Sequence, residues 1–278
     1  LPGSDYLAER FGIASEREIP PFRRETLTDW FRDRGATVTH GDARRHALLF
    51  PDTYTDHSHP EVGKAAVRVL EAAGVRVRIP DGVTGSGRPP YSKGFLDLAA
   101  ERARENVETL APIVDRGWDV VVVEPSDAVM FQDEYRDLVS DPAVDRVADA
   151  AYGIAEYLDS FDLLEDVGTA GEGSLAYHSH CHQHATKRES HAPAVLRDVG
   201  YEVDAVDSTC CGMAGSFGYE SEHYSMSRAI GAILTRQLRN SEAEEVVAPG
   251  TSCRTQIDDL GDWGEPAHPI EKVVDALE

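Results

Sequence analysis

The chain has 278 residues, of which 41% are hydrophobic, and a formal net charge of −23. That length can bury the core of one or two domains, and it holds no run of about 18 apolar residues to span a membrane. So acidic a surface repels nucleic acid and anionic lipid, which need cationic neutralisation, and it points to a salt-loving source where screening removes the self-repulsion.

Of the 27 cationic side chains only four are lysine: Lys64, Lys93, Lys187 and Lys272. Apolar periodicity along the whole chain argues against disorder. Residues 1–43 form an N-terminal extension. Leu1-Pro2-Gly3-Ser4-Asp5 offers neither a basic n-region nor an apolar h-region, so no signal peptide is expected, and the missing initial Met suggests a piece of a longer chain. Phe22, Leu27, Trp30 and Phe31 fall near helical spacing, which predicts a helix over residues 21–31.

A β–α–β pattern follows in residues 44–142. Residues 46–50 read as a buried strand ended by Pro51-Asp52, and Pro60 opens a helix that stops at Gly74. Val75, Val77 and Ile79 alternate as a second strand. A long helix is predicted over 92–116, and four valines at 120–123 mark a third strand buried on both faces. Residues 143–173 hold a predicted helix (143–158) and a glycine-rich linker. In residues 174–278 the pattern returns, with strands at 175–177, after Gly200 and at 245–248, and helices over 187–199 and 221–239. Alternating strands and helices predict an α/β fold with parallel strands.

The two halves also agree in register. The segment 200–207 mirrors 74–81, and Gly250-Thr251-Ser252-Cys253 stands where Glu124-Pro125-Ser126-Asp127 stood. Gly85 and Asp127 are 42 positions apart, and Cys210 and Cys253 are 43. The expected architecture is two pseudo-symmetric Rossmann-like βαβ halves, a duplicated domain rather than a solenoid. Cys210-Cys211-Gly212 then matches Gly85-Ser86-Gly87, Cys253 matches Asp127, and Cys181 matches Tyr54. Only the second half keeps thiols, and Asp127 is expected to be a helix N-cap.

All four cysteines, Cys181, Cys210, Cys211 and Cys253, lie in loops that follow apolar runs. Ligand crevices of such sheets lie outside the carboxyl ends of the strands, so three loops should reach one rim. Gly212 and Gly215 allow positive φ and close approach of backbone to a bulky inorganic group, and loop N–H groups can bond to sulfur. The C-x28-CC-x41-C spacing is not a zinc-finger pattern. Thiolate ligation admits an iron–sulfur cluster or zinc, with buried free thiols or disulfides as the other readings. His178, His180, His182 and His184 alternate around Cys181 and would share one face of an extended segment. They read as polar rim residues or, for His178, His180 and His182, as a proton relay or further ligand. His57 and His59 are expected at the surface.

Four stretches carry a family resemblance: Phe50-Pro51-Asp52-Thr53-Tyr54 onward to Gly74, 177–183, 210–220 and 250–257. They resemble the cysteine-rich CCG domain family, that of the heterodisulfide reductase B subunit and of iron–sulfur subunits of the glycolate oxidase type. The likeness is greatest to the C-terminal part of FAD-linked D-2-hydroxyacid (D-lactate-type) dehydrogenases. The resemblance implies a duplicated CCG fold and a 4Fe–4S cluster on Cys181, Cys210, Cys211 and Cys253. It further implies electron transfer from flavin toward an acceptor such as quinone. FAD-binding and ferredoxin-like domains or subunits would be its partners, in the cytoplasm or at the inner face of the cell membrane.

The family's fuller pattern ends in Cys-x-x-Cys, but Gln256 stands three positions after Cys253. One ordinary cluster, or zinc, is therefore expected rather than a double cubane. Without a dinucleotide fingerprint or a Cys-x-x-Cys run, this chain alone is not expected to oxidise a substrate. Two rival readings are a zinc-bound structural or docking module and a carboxylate-binding domain anchored by Arg88 or Arg254.

Overall fold

A computed structural model describes residues 12–277; the reading of the first five residues lies outside them. Among the described residues seven strands form two sheets. In the first, β1 (Arg45–Leu49) lies between β2 (Val75–Arg78) and β3 (Asp119–Val122), and β4 (Ala151–Gly153) extends the β3 edge. In the second, β5 (Ser174–Tyr177) lies between β6 (Glu202–Ala205) and β7 (Glu245–Val247). Every pairing is parallel: Ala47 faces Val77 and Asp119, and Ala176 faces Asp204 and Val246. The chain is an α/β protein. The strand order of the second sheet, 6-5-7, repeats the 2-1-3 order within the first.

Period-two alternation sorts the strand side chains into separate cores. Leu48, Val120 and Val122 join Phe131 and the Leu96–Val114 helix on the outer face of the first sheet. On the second sheet, Ala176 and Val246 join Leu234 and Ile257. Between the sheets Leu49, Val121, Leu175, Tyr177 and Val247 share one core with the helices Pro60–Ala72, His191–Asp198 and Pro269–Leu277. The two sheets are thus held by a common helical layer. Pro60 occupies the first turn of its helix, where a missing N–H costs nothing, and Gly74 ends it at φ +74°.

Local expectations fail in several places. The predicted 21–31 helix is Leu27–Arg34, because Thr26 caps it by accepting the Asp29 N–H at 3.0 Å; Phe22 is left exposed. The single helix expected over 143–158 is two, Ala143–Asp149 and Ile154–Ser160, separated by β4. There the open edge of β3 captures the backbone, with Ala150 accepting the Val120 N–H at 2.7 Å. The helix expected from Lys187 starts at His191, which places Pro193 in its first turn.

The N-terminal extension reaches the second half. Ala14 donates its N–H to Tyr219 at 2.7 Å. Buried Arg17 donates to the Gly218 carbonyl at 2.9 Å and to Ser227 Oγ at 3.0 Å, and it pairs with Asp259. No described helix is long and apolar enough to cross a membrane.

Candidate metal centre

Three loops leave the carboxyl ends of β5, β6 and β7, which are neighbours in one sheet, so they converge on one rim. Cys181 is the first residue of the helix Cys181–Thr186, Cys210 and Cys211 lie in the loop after β6, and Cys253 lies in the first turn of the helix Thr251–Leu260. The thiols meet in a row: Cys181 against Cys210, Cys210 against Cys211, Cys211 against Cys253. All four are free, which removes the disulfide reading; Cys181 and Cys210 are exposed, Cys211 and Cys253 buried.

Neighbouring sulfurs cannot all carry charge. Hydrogen bonds donated by Cys181 and Cys211 hold the Cys210 thiol well below the ordinary range, and one from Cys211 does the same for Cys253. The same contacts, with burial, push Cys181 and Cys211 up. The shifts thus alternate in direction along the row, and a bound cationic group would replace these thiol contacts. Gly212, at φ +88°, donates its N–H to Cys210 Sγ at 3.4 Å, and a Cβ there would lie 2.6 Å from the Ser227 carbonyl oxygen. Gly215 also has positive φ, +65°, with open space around it. Gly212 thus lets its loop pack against the Tyr224–Leu238 helix, and its N–H supplies the kind of bond to sulfur that a sulfur-ligated group uses.

The extended histidine face does not form. His180 is instead the N-cap of the Cys181–Thr186 helix: its Nδ1 accepts the His182 N–H at 3.2 Å, while its own N–H goes to Gln183 Oε1 at 3.1 Å. A reciprocal capping pair at this spacing outcompetes the strand. The three candidate histidines therefore share no extended face, although the rings of His180 and His182 stay edge to face, 5.1 Å apart. His178 is buried beside Cys253, with Nδ1 2.6 Å from Ser208 Oγ and no hydrogen-bond partner on Nε2. His180 packs so closely on Gly250 that a Cβ there would come within 2.4 Å of its ring. His182 turns toward Arg88 and Glu124, and burial pushes it down to about 4. His57 and His59 are half-buried; His59 lies 3.6 Å from Glu265.

Gln256 occupies the place of a fifth thiol and is engaged with a neighbouring helix. Its Nε2 donates to the Ser227 carbonyl at 2.8 Å, tying Thr251–Leu260 to the helix Tyr224–Leu238. Of the two proposed carboxylate anchors, Arg88 is engaged, donating to Glu134 Oε1 at 2.6 Å and to the Ser126 carbonyl at 3.1 Å, whereas Arg254 is buried 3.6 Å from Glu265 with its Nε lacking a hydrogen-bond partner.

The positions matched to the cysteines also come together in the first half. Ser86 Oγ donates to Asp127 Oδ1, and Tyr54 lies within the electrostatic reach of Asp127 and Asp52. Asp127 is not the N-cap. That place belongs to Glu124, whose Oε1 accepts the Ser126 N–H at 3.4 Å at the start of Pro125–Val129. Glu124 and Asp52 are buried, and sequence reasoning gave neither a functional role. Their signal was an acidic residue within three positions of a strand's end, after an apolar run.

Fold and rim together define a two-sheet α/β protein with a four-thiol site at the strand ends of its second sheet. Comparison with known proteins supplies the family: the chain belongs to the CCG cysteine-rich domain family, whose pattern matches residues 50–127 and 175–258. It is 28% identical over 270 residues to a subunit of the anaerobic glycerol-3-phosphate dehydrogenase of Escherichia coli (strain K12), covering 95% of this chain and 67% of that one. To the glycolate oxidase iron-sulfur subunit of the same strain it is 27% identical over 244 residues, covering 84% and 59%. To that strain's D-2-hydroxyglutarate dehydrogenase it is 25% identical over 238 residues, covering 84% of this chain but only 23% of the relative.

Proposed function

We propose that the chain is the iron–sulfur electron-transfer part of an FAD-linked 2-hydroxyacid dehydrogenase of the D-lactate or glycolate type. Cys181, Cys210, Cys211 and Cys253 hold one 4Fe–4S cluster. The observation that carries this is the spread of the thiol row. A single tetrahedral zinc at about 2.3 Å draws its sulfurs to about 3.8 Å from one another. Among the described residues no three of the four thiols lie mutually within 4.8 Å; only Glu220, Glu222 and His223 form so tight a group. The row suits a larger inorganic core, and the relative named as an iron-sulfur subunit supports that choice.

When bound, the cluster supplies one-electron chemistry. The chain's own residues orient and insulate it. Gly212 N–H stabilises charge on Cys210, buried His178 backs Cys253, and the exposed edge at Cys181 and Cys210 faces a partner. That partner is an FAD-binding or ferredoxin-like domain or subunit, with quinone as the class of final acceptor. The two sheets are read as copies, the first having lost its thiols.

Metal and acid-labile sulfide are measured on anaerobically prepared protein beside Cys210→Ser. Iron and sulfide near four each per chain, lost in the variant, is the expected result. One zinc without sulfide would make the site a structural clip and sink the redox reading, and no metal in either protein would leave only free thiols.

A further inference from the structure

The first half contains a buried group that electron transfer by the thiol site leaves unexplained. Asp52 is 1% exposed: its Oδ1 accepts the N–H groups of Tyr54 at 3.1 Å and Thr55 at 2.9 Å, and its Oδ2 is buried without any partner. Asp127 is buried too, and its one oriented donor is the Ser86 hydroxyl. Ser86 is fixed in that role because its Oγ also accepts the Arg88 N–H at 3.1 Å, while Tyr135 donates to its carbonyl at 2.8 Å. The charged groups around the pair do not neutralise it. Glu124 adds a like charge, and Arg88 is committed to Glu134. Tyr54 and Tyr135 face the pair, and from the second half Tyr219 reaches Tyr54 and His182 reaches Glu124.

Two ionised carboxylates buried together with neutral donors are unfavourable, so the pair must take a proton or a cation. A cation fits poorly, since among the described residues no three carboxylates here bring oxygens mutually within 4.8 Å. We propose that Asp52 and Asp127 are a proton-binding pair that holds one proton at neutral pH and takes a second from water when the thiol site gains an electron. The inference rests on the redox reading above. The electron comes from the flavin-class donor, and the only bond formed is an O–H on the pair. Burial pushes both carboxyls up, Asp52 to about 6 and Asp127 well above its ordinary value, so an added negative charge nearby raises the proton affinity of Asp52 further. Coupling runs through Glu124, which touches the pair's field and accepts the Thr251 N–H at 3.0 Å at the start of the Cys253 helix.

The test has two arms. Infrared spectroscopy of metal-free protein at pH 7 is expected to show a protonated carboxyl C=O stretch that disappears in Asp127→Asn. No such band in the wild type, or a rise in melting temperature on adding magnesium or calcium that Asp127→Asn abolishes, overturns the proton pair. In iron-loaded protein the reduction equilibrium is expected to fall tenfold per pH unit above pH 6, about 59 mV, and to be flat in Asp52→Asn. A flat wild-type profile overturns the coupling even if both variants fail to fold. Metal and sulfide content separately decides the redox reading, so the two failures remain distinct.

Discussion

The Glu124 carboxylate accepts the backbone N–H of Thr251 at 3.0 Å across 127 positions of sequence, so one buried side chain caps helices in both halves. Glu124→Ala leaves the Thr251 and Ser126 N–H groups without an acceptor inside the seam. A loss of about 1–3 kcal/mol is expected, with iron retention falling because Cys253 rides on the same helix turn. Glu124→Gln keeps one oxygen acceptor and should lose less. Urea unfolding of the three proteins checks this; an undisturbed midpoint in Glu124→Ala would show that the bond does not hold the halves.

Gly250→Ala places a methyl group 2.4 Å from the His180 ring and 3.5 Å from Cys253 Sγ. Overpacking of this kind costs about 1–3 kcal/mol, and the displaced His180 no longer caps the helix that begins with Cys181. The variant should bind less iron than the wild type at equal fold content by circular dichroism. Full occupancy would mean that the rim tolerates the shift.

Arg17→Met keeps the buried stem while removing donors to Gly218 and Ser227 and the pairing with Asp259. Destabilisation of about 2–3 kcal/mol is expected. Proteolysis should then cut first within the segment 12–24 and the loop 210–220, which Arg17 ties together. Cleavage elsewhere first would place the weak point outside this staple.

The charge of −23 makes ionic strength a direct probe of self-repulsion in so acidic a chain. Raising it from about 0.1 M to about 1 M shortens the screening length from about 10 Å to about 3 Å. Self-repulsion falls more than the scattered surface ion pairs lose, so the melting temperature should climb. A fall would mean that those pairs dominate.

Acidity inside the fold acts in the opposite sense to most carboxylates. Asp52 is pushed up to about 6 by burial, so its stabilising contribution is complete below its ordinary value near 4 and is lost as pH rises through about 6. Wild-type protein should therefore lose stability between about pH 4 and about 6 relative to Asp52→Asn. Parallel curves in thermal melts would show that the buried carboxyl keeps an ordinary affinity for its proton.

By itself the sequence determined the alternation of strands and helices, the parallel sheets and the convergence of four thiols. Each follows from local pattern: runs such as Val120 to Val123, Pro60 and Gly74 as helix punctuation, and the rule that loops at strand ends share a rim. Only the tertiary structure decided the rest. β4 exists because the edge of β3 was open, and residues 181–186 coil because His180 and Gln183 cap one another. Asp127 yields the N-cap to Glu124 and turns to Ser86, and Glu124 bridges the halves because the Thr251 helix presents a bare N–H to it. The strand edge and the Thr251 contact depend on partners distant in sequence, and the capping pairs on side-chain rotamers, neither of which a hydrophobic period encodes.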